Sequence, residues 1–556
     1  MVFTDILVPM PARKRVTKYG SHSKNYVYEI VKRKSKDNPK DITVCVGIAV
    51  NDNELNPNEK YFDLHPEYVK QLPEQENLIF DSQIHIGSSA LLRAASKKVG
   101  LDISLKECFP GYEEIIQTLL EYYMVERESA AQLYKYYLFD HFTNLNYIPS
   151  ETAISKLFNE YLSHERIQNF LQHWMEKQLH KMNSSSVSID FDSTNFNIGS
   201  KGLSSAERGK PKDEEGLPQI NVAYFLDRKT GLPIYYDVYY GSIIDMEHCK
   251  SAVDKIHAVK PDVKCSFVMD RGYFSKSNLN YMLDQNYDFL CMGKDGIRLD
   301  NMIKENPIQE ITRAANRVYA GIYGIKSYGK AFETDDKDYY LYLYYNSATA
   351  VEELPRLQDY TEYYAKALVG KRDSHYNISN TYGKLINITM DEHNVIVSAE
   401  PNYEYIDHYR DSCGYFWIVS TEDMTIEEAL SCYRHRDSIE KVFRGVKTDS
   451  DLNKMYVSSD EAFEAKSLLA FLTAVLRANI AMELKPYFFQ YSSETTQTVL
   501  KEMEKIKAEL IGKNYLLRCP LTAKQKQIFS FYEMDASYLS AFVKDLNFAV
   551  SINDER

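Results

Sequence analysis

SVSIDFD, residues 186–192, alternates apolar and polar side chains with a period of two and ends in an acid. That pattern is a half-buried strand. QINVAYFLD (219–227) and LPIYYDVYYG (232–241) follow, split by RKTG, a hairpin signal. Asp245 then opens a helical stretch, DMEHCKSAVDKIHAVK, and VKCSFVMD (263–270) is an apolar strand that also closes on an acid. A short helix, SKSNLNYMLDQN, leads to a further strand, YDFLCMGK (287–294). The order strand, strand, strand, helix, strand, helix, strand predicts a mixed sheet with helices packed on it.

That order matches an α/β fold of the RNase H-like class. Such a fold closes with one more helix carrying an acid, and here that helix does not follow at once. Residues 300–412 show β-rich patches instead, among them YYLYLYYN and KLINITM, and read as an insertion. The core resumes over 413–490 with GYFWIVST and a helix. Upstream, ITVCVGIAV (42–50) reads as a buried strand, and 88–180 is mainly helical, with apolar residues recurring at three and four and Ser150 as an N-cap. The expected divisions are an N-terminal basic and β region over 1–85 and a helical region over 86–182. The first part of the core spans 183–299, the insertion 300–412, the second part of the core 413–490, and a helical C-terminal region 491–556.

With 556 residues the chain is long enough for several such units. A hydrophobic content of 44% with 26% charged residues belongs to a soluble globular protein. No apolar run reaches about 18 residues, so no membrane partner is expected. The N-terminus places a short apolar run before its charges, the wrong order for a secretory signal, which predicts a cytoplasmic protein. Eight cysteines lie far apart without a CxxC pair, so structural zinc is not expected and reduced thiols are. The net charge of −13 argues against simple nonspecific nucleic-acid binding, but its distribution is uneven. Residues 1–40 hold ten Lys/Arg against three Asp/Glu, and 41–80 hold two against eight. The basic segment has the charge to grip phosphate, or simply to stay solvated.

The helix that resumes the core begins at MTIEEAL, where Thr425 and Glu428 fit a capping box. It runs on through YRHRDSIEKVFRGVK, residues 433–447. At about 100° per residue, Tyr433, Arg436, Glu440 and Lys447 fall within about 60° of one another, beside an apolar stripe of Ile439, Val442, Phe443 and Val446. Taken alone, such a face is a solvated surface whose i,i+4 pairs contribute a few tenths of a kcal/mol each.

Two acids elsewhere change that reading. Asp192 and Asp270 close the first and fourth strands, which are neighbours in an RNase H-like sheet, and sites in α/β sheets gather at the carboxyl ends of strands. With Glu440 on a helix crossing that end, three carboxylates would share a site. They repel one another unless a cation neutralises them, and an all-oxygen set suits Mg2+ or Mn2+. Two ions about 3.5–4 Å apart would serve phosphodiester displacement.

Here the sequence resembles a known family. DST, then DRGYF, then YRHRDSIEKVFRGVK is similar to the DDE transposases of bacterial insertion sequences, in particular the group with the YREK signature. Tyr433, Arg436, Glu440 and Lys447 match every spacing of that signature, and the long β-rich insertion is typical of the group. GLPIYYDVYYGSIIDMEH, GYFWIVSTEDMTIEEAL and ECFP near residue 110 extend the likeness, whose strong part covers 186–294 and 413–480. The resemblance implies that Asp192, Asp270 and Glu440 are catalytic metal ligands for Mg2+ or Mn2+, two ions in all. It implies that Tyr433, Arg436 and Lys447 bind transposon-end DNA. It further implies a homodimer bridging terminal inverted repeats, cut-and-paste transfer to target DNA through hairpin ends, and association with the nucleoid.

Other residues compete for these roles. Asp190 shares a strand face with Asp192, and Asp192 is favoured by its place at the strand end. Asp245 reads as an N-cap. Arg271 and Gly272 read as turn formers, and Arg434 and His435 as solvent-facing. Lys201, Arg208, Lys210 and Lys212 lie in a polar loop with the charge to approach DNA. Two further functions fit parts of the pattern: an inactive or domesticated DNA-binding relative, and a glycoside hydrolase built on two carboxylates.

Overall fold

The computed structural model describes residues 7–18, 25–33, 41–65, 81–145, 147–182, 186–197, 203, 206, 218–240, 254–261, 263–334, 337–373, 378, 382–445, 447, 457, 459–518 and 520–554. Asp245 and the cationic loop residues Lys201, Arg208, Lys210 and Lys212 lie outside the described residues. The helical stretch expected from residue 245 is described as a helix only over 254–259.

The alternating segment at residue 186 forms β1 (Ser186–Asn197), an inner strand of a mixed sheet. With β2 (Gln219–Asp227), β3 (Pro233–Tyr240), β4 (Lys264–Met269) and β5 (Asp288–Met292), the strand order is β3-β2-β1-β4-β5. β2 runs antiparallel to β1 and β3, whereas β4 runs parallel to both β1 and β5. The sheet does not stop there. β6 (Arg317–Tyr319), β7 (Ile322–Gly329) and β8 (Tyr339–Asn346) come from the stretch read as an insertion. β9 (Tyr415–Ser420) joins them to the rest, pairing antiparallel with β5 on one side and β8 on the other. The result is a nine-stranded sheet.

Helices cover both faces. α1 (His164–Lys181) packs on β3, where buried Trp174 donates its indole N–H to the Pro233 carbonyl at 3.0 Å. α2 (Lys276–Asp284) crosses from β4 to β5. α3 (Ser347–Leu368) packs with a separate hairpin, Ile386–Met390 and Ile396–Pro401, around Leu368, Ile386 and Ile396. Residues paired across strands share a face, so Asp190, Asp192, Tyr224, Val268, Leu290, Ile418 and Tyr342 all point the same way. α4 (Ile426–Arg434), α5 (Asp437–Arg444) and α6 (Asp460–Glu483) lie over that face.

The helix expected as one rod through residues 426–447 is two. α4 starts at the expected capping box, with Thr425 and Glu428 each satisfying the other's backbone N–H. It ends at Arg434, and Arg436 N bonds back to Tyr433 O at 3.1 Å, a tight turn before α5. The break serves two separate apolar clusters. Leu430 and Tyr433 pack with Val268, Leu290, Tyr342 and Ile418, whereas Ile439 and Phe443 pack in the main core, Phe443 beside Tyr224. A straight helix would serve only one of them.

α6 is the one described helix long and apolar enough to cross a bilayer by length and composition, but 78% of that window is buried inside the protein. It is the central core helix, with Leu468, Leu469, Phe471, Leu472, Val475 and Leu476 all buried. Two other expectations change. Ile42–Ala49 is a strand, but only Val46 and Gly47 in it are buried, because its five-stranded sheet is a thin layer around Val8, Val27, Val46, Leu55 and Tyr61. The C-terminal region is not wholly helical. Lys507–Ile511 and Asn514–Leu517 form a hairpin that adds to the strand Gln83–His85. Its two-residue turn holds Gly512 at φ +67°, where a glycine-led turn outweighs helical composition.

Gly293, just past β5, leaves no room for a side chain, since a Cβ there would fall inside the Trp417 indole. The indole N–H is itself held by the Lys294 carbonyl at 3.0 Å. Gly293→Ala is therefore expected to lower stability by about 1–3 kcal/mol through overpacking, read as a drop in the urea unfolding midpoint at unchanged slope.

Candidate active site

Strand register brings the first two acids together. In the parallel β4–β1 pairing Val268 lies beside Asp190, and two residues further along each strand come Asp270 and Asp192. Adjacent strands run about 4.8 Å apart. β1 continues to Asn197 paired with β2, so Asp192 is in mid-strand rather than at a strand end. It nevertheless stands beyond the last β4–β1 pair, where the carboxyl edge of β4 opens the sheet. Asp190 has a different fate. It is fully buried, with Arg228 Nε 3.2 Å from its Oδ1. That pairing is structural, because a buried carboxylate without a cation would be costly.

Asp270 is the N-cap of a short turn over Arg271–Tyr273, its Oδ1 accepting from Arg271 N at 2.7 Å. The expected turn-forming role of Arg271 is thus also the means by which the carboxylate is oriented. Arg271 itself pairs loosely at the surface with Asp295, at 3.5 Å. On the other side Asp192 Oδ1 accepts from Ser193 N at 2.8 Å. The outer oxygens of both acids turn toward α5.

There they meet Arg436. Its Nη1 lies 3.4 Å from Asp192 Oδ2 and 3.6 Å from Asp270 Oδ2, and its Nη2 lies 2.8 Å from Glu440 Oε1. One guanidinium therefore gathers all three sequence-predicted acids, which are 78 and 170 residues apart along the chain. Arg436 is nearly buried, whereas Glu440 is 55% exposed and Asp270 40%. Burial works against the guanidinium charge, but Tyr433, Asp270, Asp192 and Glu440 outweigh it and push the Arg436 pKa further up. The donors are carboxylate oxygens, and a positive charge already stands among them. An all-carboxylate donor set suits a hard cation, which would have to displace the guanidinium now standing between the three acids.

Tyr433 is 9% exposed, its ring packed under α4 and only its hydroxyl reaching the site. The hydroxyl donates to Asp270 Oδ1 at 3.2 Å and lies 3.5 Å from Met292 Sδ. The Arg436 guanidinium sits 5.6 Å from the Tyr433 ring centre. Lys447 lies farther along β1, its Nζ 5.6 Å from the ring centre of Phe196. Phe196 is four residues beyond Asp192 on the same face, about 13 Å along the strand. The four residues that share a stripe in the sequence thus separate, Tyr433 lying by Asp270 and Met292 and Lys447 by Phe196. Arg434 is exposed beside Tyr319, its guanidinium 5.5 Å from that ring, and His435 is exposed too.

An open cleft of about 650 Å³ borders this centre, lined by Asp270, Arg271, Gly272, Met292, Lys294, Tyr433 and Arg436. Met292 and Lys294 carry no marked sequence signal. They could have been found by position alone, at and just past the carboxyl end of the strand next to β4.

Burial pushes the Tyr433 phenol well above its ordinary value, with the neighbouring Asp270 charge adding to the shift and Arg436 opposing it. A raised folded-state pKa favours the protonated form, so its contribution to stability is complete below about pH 10 and declines as pH rises beyond it. The wild-type minus Tyr433→Phe difference in phenolate absorbance should therefore stay flat through about pH 10–11 while the protein is folded. Loss of the hydroxyl alone should change stability by no more than about 1 kcal/mol.

A comparison with curated proteins finds no match. Among solved structures, a piggyBac transposase synaptic complex with hairpin DNA is similar at 9% identity and a TM-score of 0.35, covering 84% of this chain and 79% of that one. A Mos1 mariner paired-end complex with Mn matches at 14% identity and a TM-score of 0.14, over 24% of this chain and 42% of that one. A Mos1 transposase paired-end complex with the left transposon end matches at 13% and 0.14, over 32% and 56%. Those values are too low to carry conclusions from one structure to another. The family model described as the transposase DDE domain matches residues 183–476, more than half of the chain and all of the segment that holds Asp192, Asp270 and Glu440. The chain therefore belongs to the DDE transposase family, and it is a transposase.

Proposed function

We propose that the protein moves an insertion sequence by cut-and-paste transposition, as a member of the YREK-signature group of bacterial elements. The reading rests above all on the convergence of Asp192, Asp270 and Glu440 on Arg436. The strand order β3-β2-β1-β4-β5, with β2 alone antiparallel to its neighbours in that set, supports an RNase H-like core made of 183–299 and 413–490 around the insertion 300–412.

On this reading Asp192, Asp270 and Glu440 are the catalytic residues and hold divalent metal, Mg2+ or Mn2+, as two ions. Bound there, such ions supply the charge that activates an attacking hydroxyl and steadies a leaving oxygen in phosphodiester displacement. The chain's own residues do the remaining work. Asp270, fixed by the Arg271 backbone N–H and the Tyr433 hydroxyl, keeps one oxygen oriented and presents the other. Arg436 neutralises the three acids before substrate arrives and has the fork geometry to take up a phosphate instead. Lys447 and Lys294 flank the centre along β1 and at the cleft, where a DNA backbone carries its charge. The partners are DNA, first terminal inverted repeats and then target DNA, and a second subunit in a homodimer that holds two ends together. Hairpin ends are the expected intermediate, and the enzyme works in the cytoplasm on the nucleoid.

The test is cleavage of a duplex carrying the element's terminal inverted repeat, in Mg2+ or Mn2+. The wild type should nick at the repeat boundary, and Asp270→Asn should lose at least about a thousandfold in rate, about 4 kcal/mol of transition-state stabilisation. Binding of the repeat without cleavage by the wild type would instead mark an inactive, DNA-binding relative. Cleavage that persists in Asp270→Asn would remove the proposed centre. Lys447→Ala should weaken binding evenly across sequences and reduce the slope of log K against log salt by about 1, measured by fluorescence anisotropy.

A further inference from the structure

Outside the acid centre, three residues that no motif connects meet at a seam between the N-terminal and C-terminal regions. His85 ends the short strand Gln83–His85, His141 follows the helix Ala131–Asp140, and Glu504 caps the helix Thr496–Met503. Glu504 Oε2 lies 3.0 Å from His85 Nδ1 and 3.0 Å from His141 Nε2. One ligand atom from each residue lies within 4.8 Å of the other two, and this is the one such group of His, Cys, Asp or Glu among the described residues. His141 is 4% exposed, and the other two are 19% exposed.

We propose that His85, His141 and Glu504 form a site for one divalent transition cation, Zn2+ by its ligand chemistry, which clasps the C-terminal region to the N-terminal helical region. Two imidazoles and one carboxylate are a set that zinc takes and that Mg2+ and Ca2+ do not favour. The outer shell is already in place. His141 Nδ1 faces two acceptors, Asp140 Oδ1 at 2.6 Å and the Tyr137 carbonyl at 3.1 Å. Nε2 now donates to Glu504 Oε2 at 3.0 Å, so a metal would displace that proton while the Asp140 contact keeps the one on Nδ1, the carboxylate–histidine arrangement that tunes zinc ligands. Ligand atoms around a tetrahedral zinc sit about 3.3–3.5 Å apart, so the two 3.0 Å contacts need open only slightly.

One rearrangement is required. The two imidazoles stack with centres 4.8 Å apart and planes 14° apart, so their lone pairs lie in nearly parallel planes rather than converging on one point between the rings. His85, 19% exposed against 4% for His141, is the ring that would turn. Its Nδ1 now donates to the Glu504 carbonyl at 2.7 Å, and that hydrogen bond is exchanged for the metal bond. His141 is held in place by Asp140 and by the Tyr137 ring stacked 3.9 Å away. Glu126 Oε1, 3.9 Å from His141 Nε2, adds negative charge at the rim. The strand that carries His85 pairs with Lys507–Ile511, so the cation would reinforce a junction that already spans the two ends of the chain.

The experiment uses full-length protein stripped with a chelator and titrated with Zn2+ against a chromophoric competitor, and separately with Co2+ in the visible range. It is run in the Asp270→Asn background, so that uptake at the acid centre does not confuse the count. One equivalent per chain is expected, with a four-coordinate Co2+ spectrum and a higher Tm on addition of Zn2+. His85→Ala and Glu504→Gln should each lose that equivalent while keeping the parent's far-UV circular dichroism. Asp140→Asn, which removes only the partner that positions His141, should weaken affinity about 10–100-fold. If Glu504→Gln does not fold, the more peripheral His85→Ala decides alone. A parent that takes up no Zn2+, or variants that titrate as the parent does, would leave only a hydrogen-bonded network and overturn the proposal.

Discussion

The parallel pairing of β1 with β4 is the constraint on which the rest of the centre depends. It sets Val268 beside Asp190, and the side chains two residues on then have no freedom to be far apart. A slip of one residue would turn Asp192 to the opposite face, among Phe191 and Ile189 in the core. The register is held because those alternate residues are apolar and fully buried. Hydrophobic burial, the larger and less directional force, thus fixes the geometry of a polar site that could not fix itself.

Repulsion among three carboxylates pulls the other way. Arg436 answers it with one guanidinium that touches all three, and the Tyr433 hydroxyl adds a neutral donor to Asp270. The turn between α4 and α5 makes both contacts possible. It lets Tyr433 stay in one apolar cluster while Ile439 and Phe443 enter the other, with Arg436 left at the junction facing the sheet edge. The polar centre is therefore suspended between two cores rather than buried in either.

Much of this was legible in the residues. The alternation in SVSIDFD, the acid closing VKCSFVMD and the spacing of Tyr433, Arg436 and Glu440 were enough to group side chains that the fold brings together. What pattern could not supply was context. Asp192 reads as a strand end because the sequence turns polar after it, yet pairing with β2 carries the strand five residues further. Asp190 and Asp192 are equivalent by periodicity, and only Arg228, reaching across from the β2–β3 hairpin, separates them. The helical wheel puts Arg436 beside Glu440 but cannot show that its guanidinium also reaches Asp192 and Asp270, which lie on other elements. Residues 300–412 read as an insertion by composition, although three of its strands prolong the main sheet, since composition does not say which edge a strand joins. The meeting of His85, His141 and Glu504 has no local signature, each being an ordinary residue in its own segment.

The placement of β9 between β5 and β8 also bears on how the protein is made. β5 is complete at Met292, but its antiparallel neighbour is not synthesised until Tyr415–Ser420. Until then a nascent chain presents an open row of backbone donors and acceptors along a largely buried strand, an invitation to pair with another copy. Contacts this distant in sequence close slowly. An emerging polypeptide thus gains its shielded sheet and its third acid close together in time, so fragments released early from the ribosome would be sticky and would lack the carboxylate that completes the cluster around Arg436.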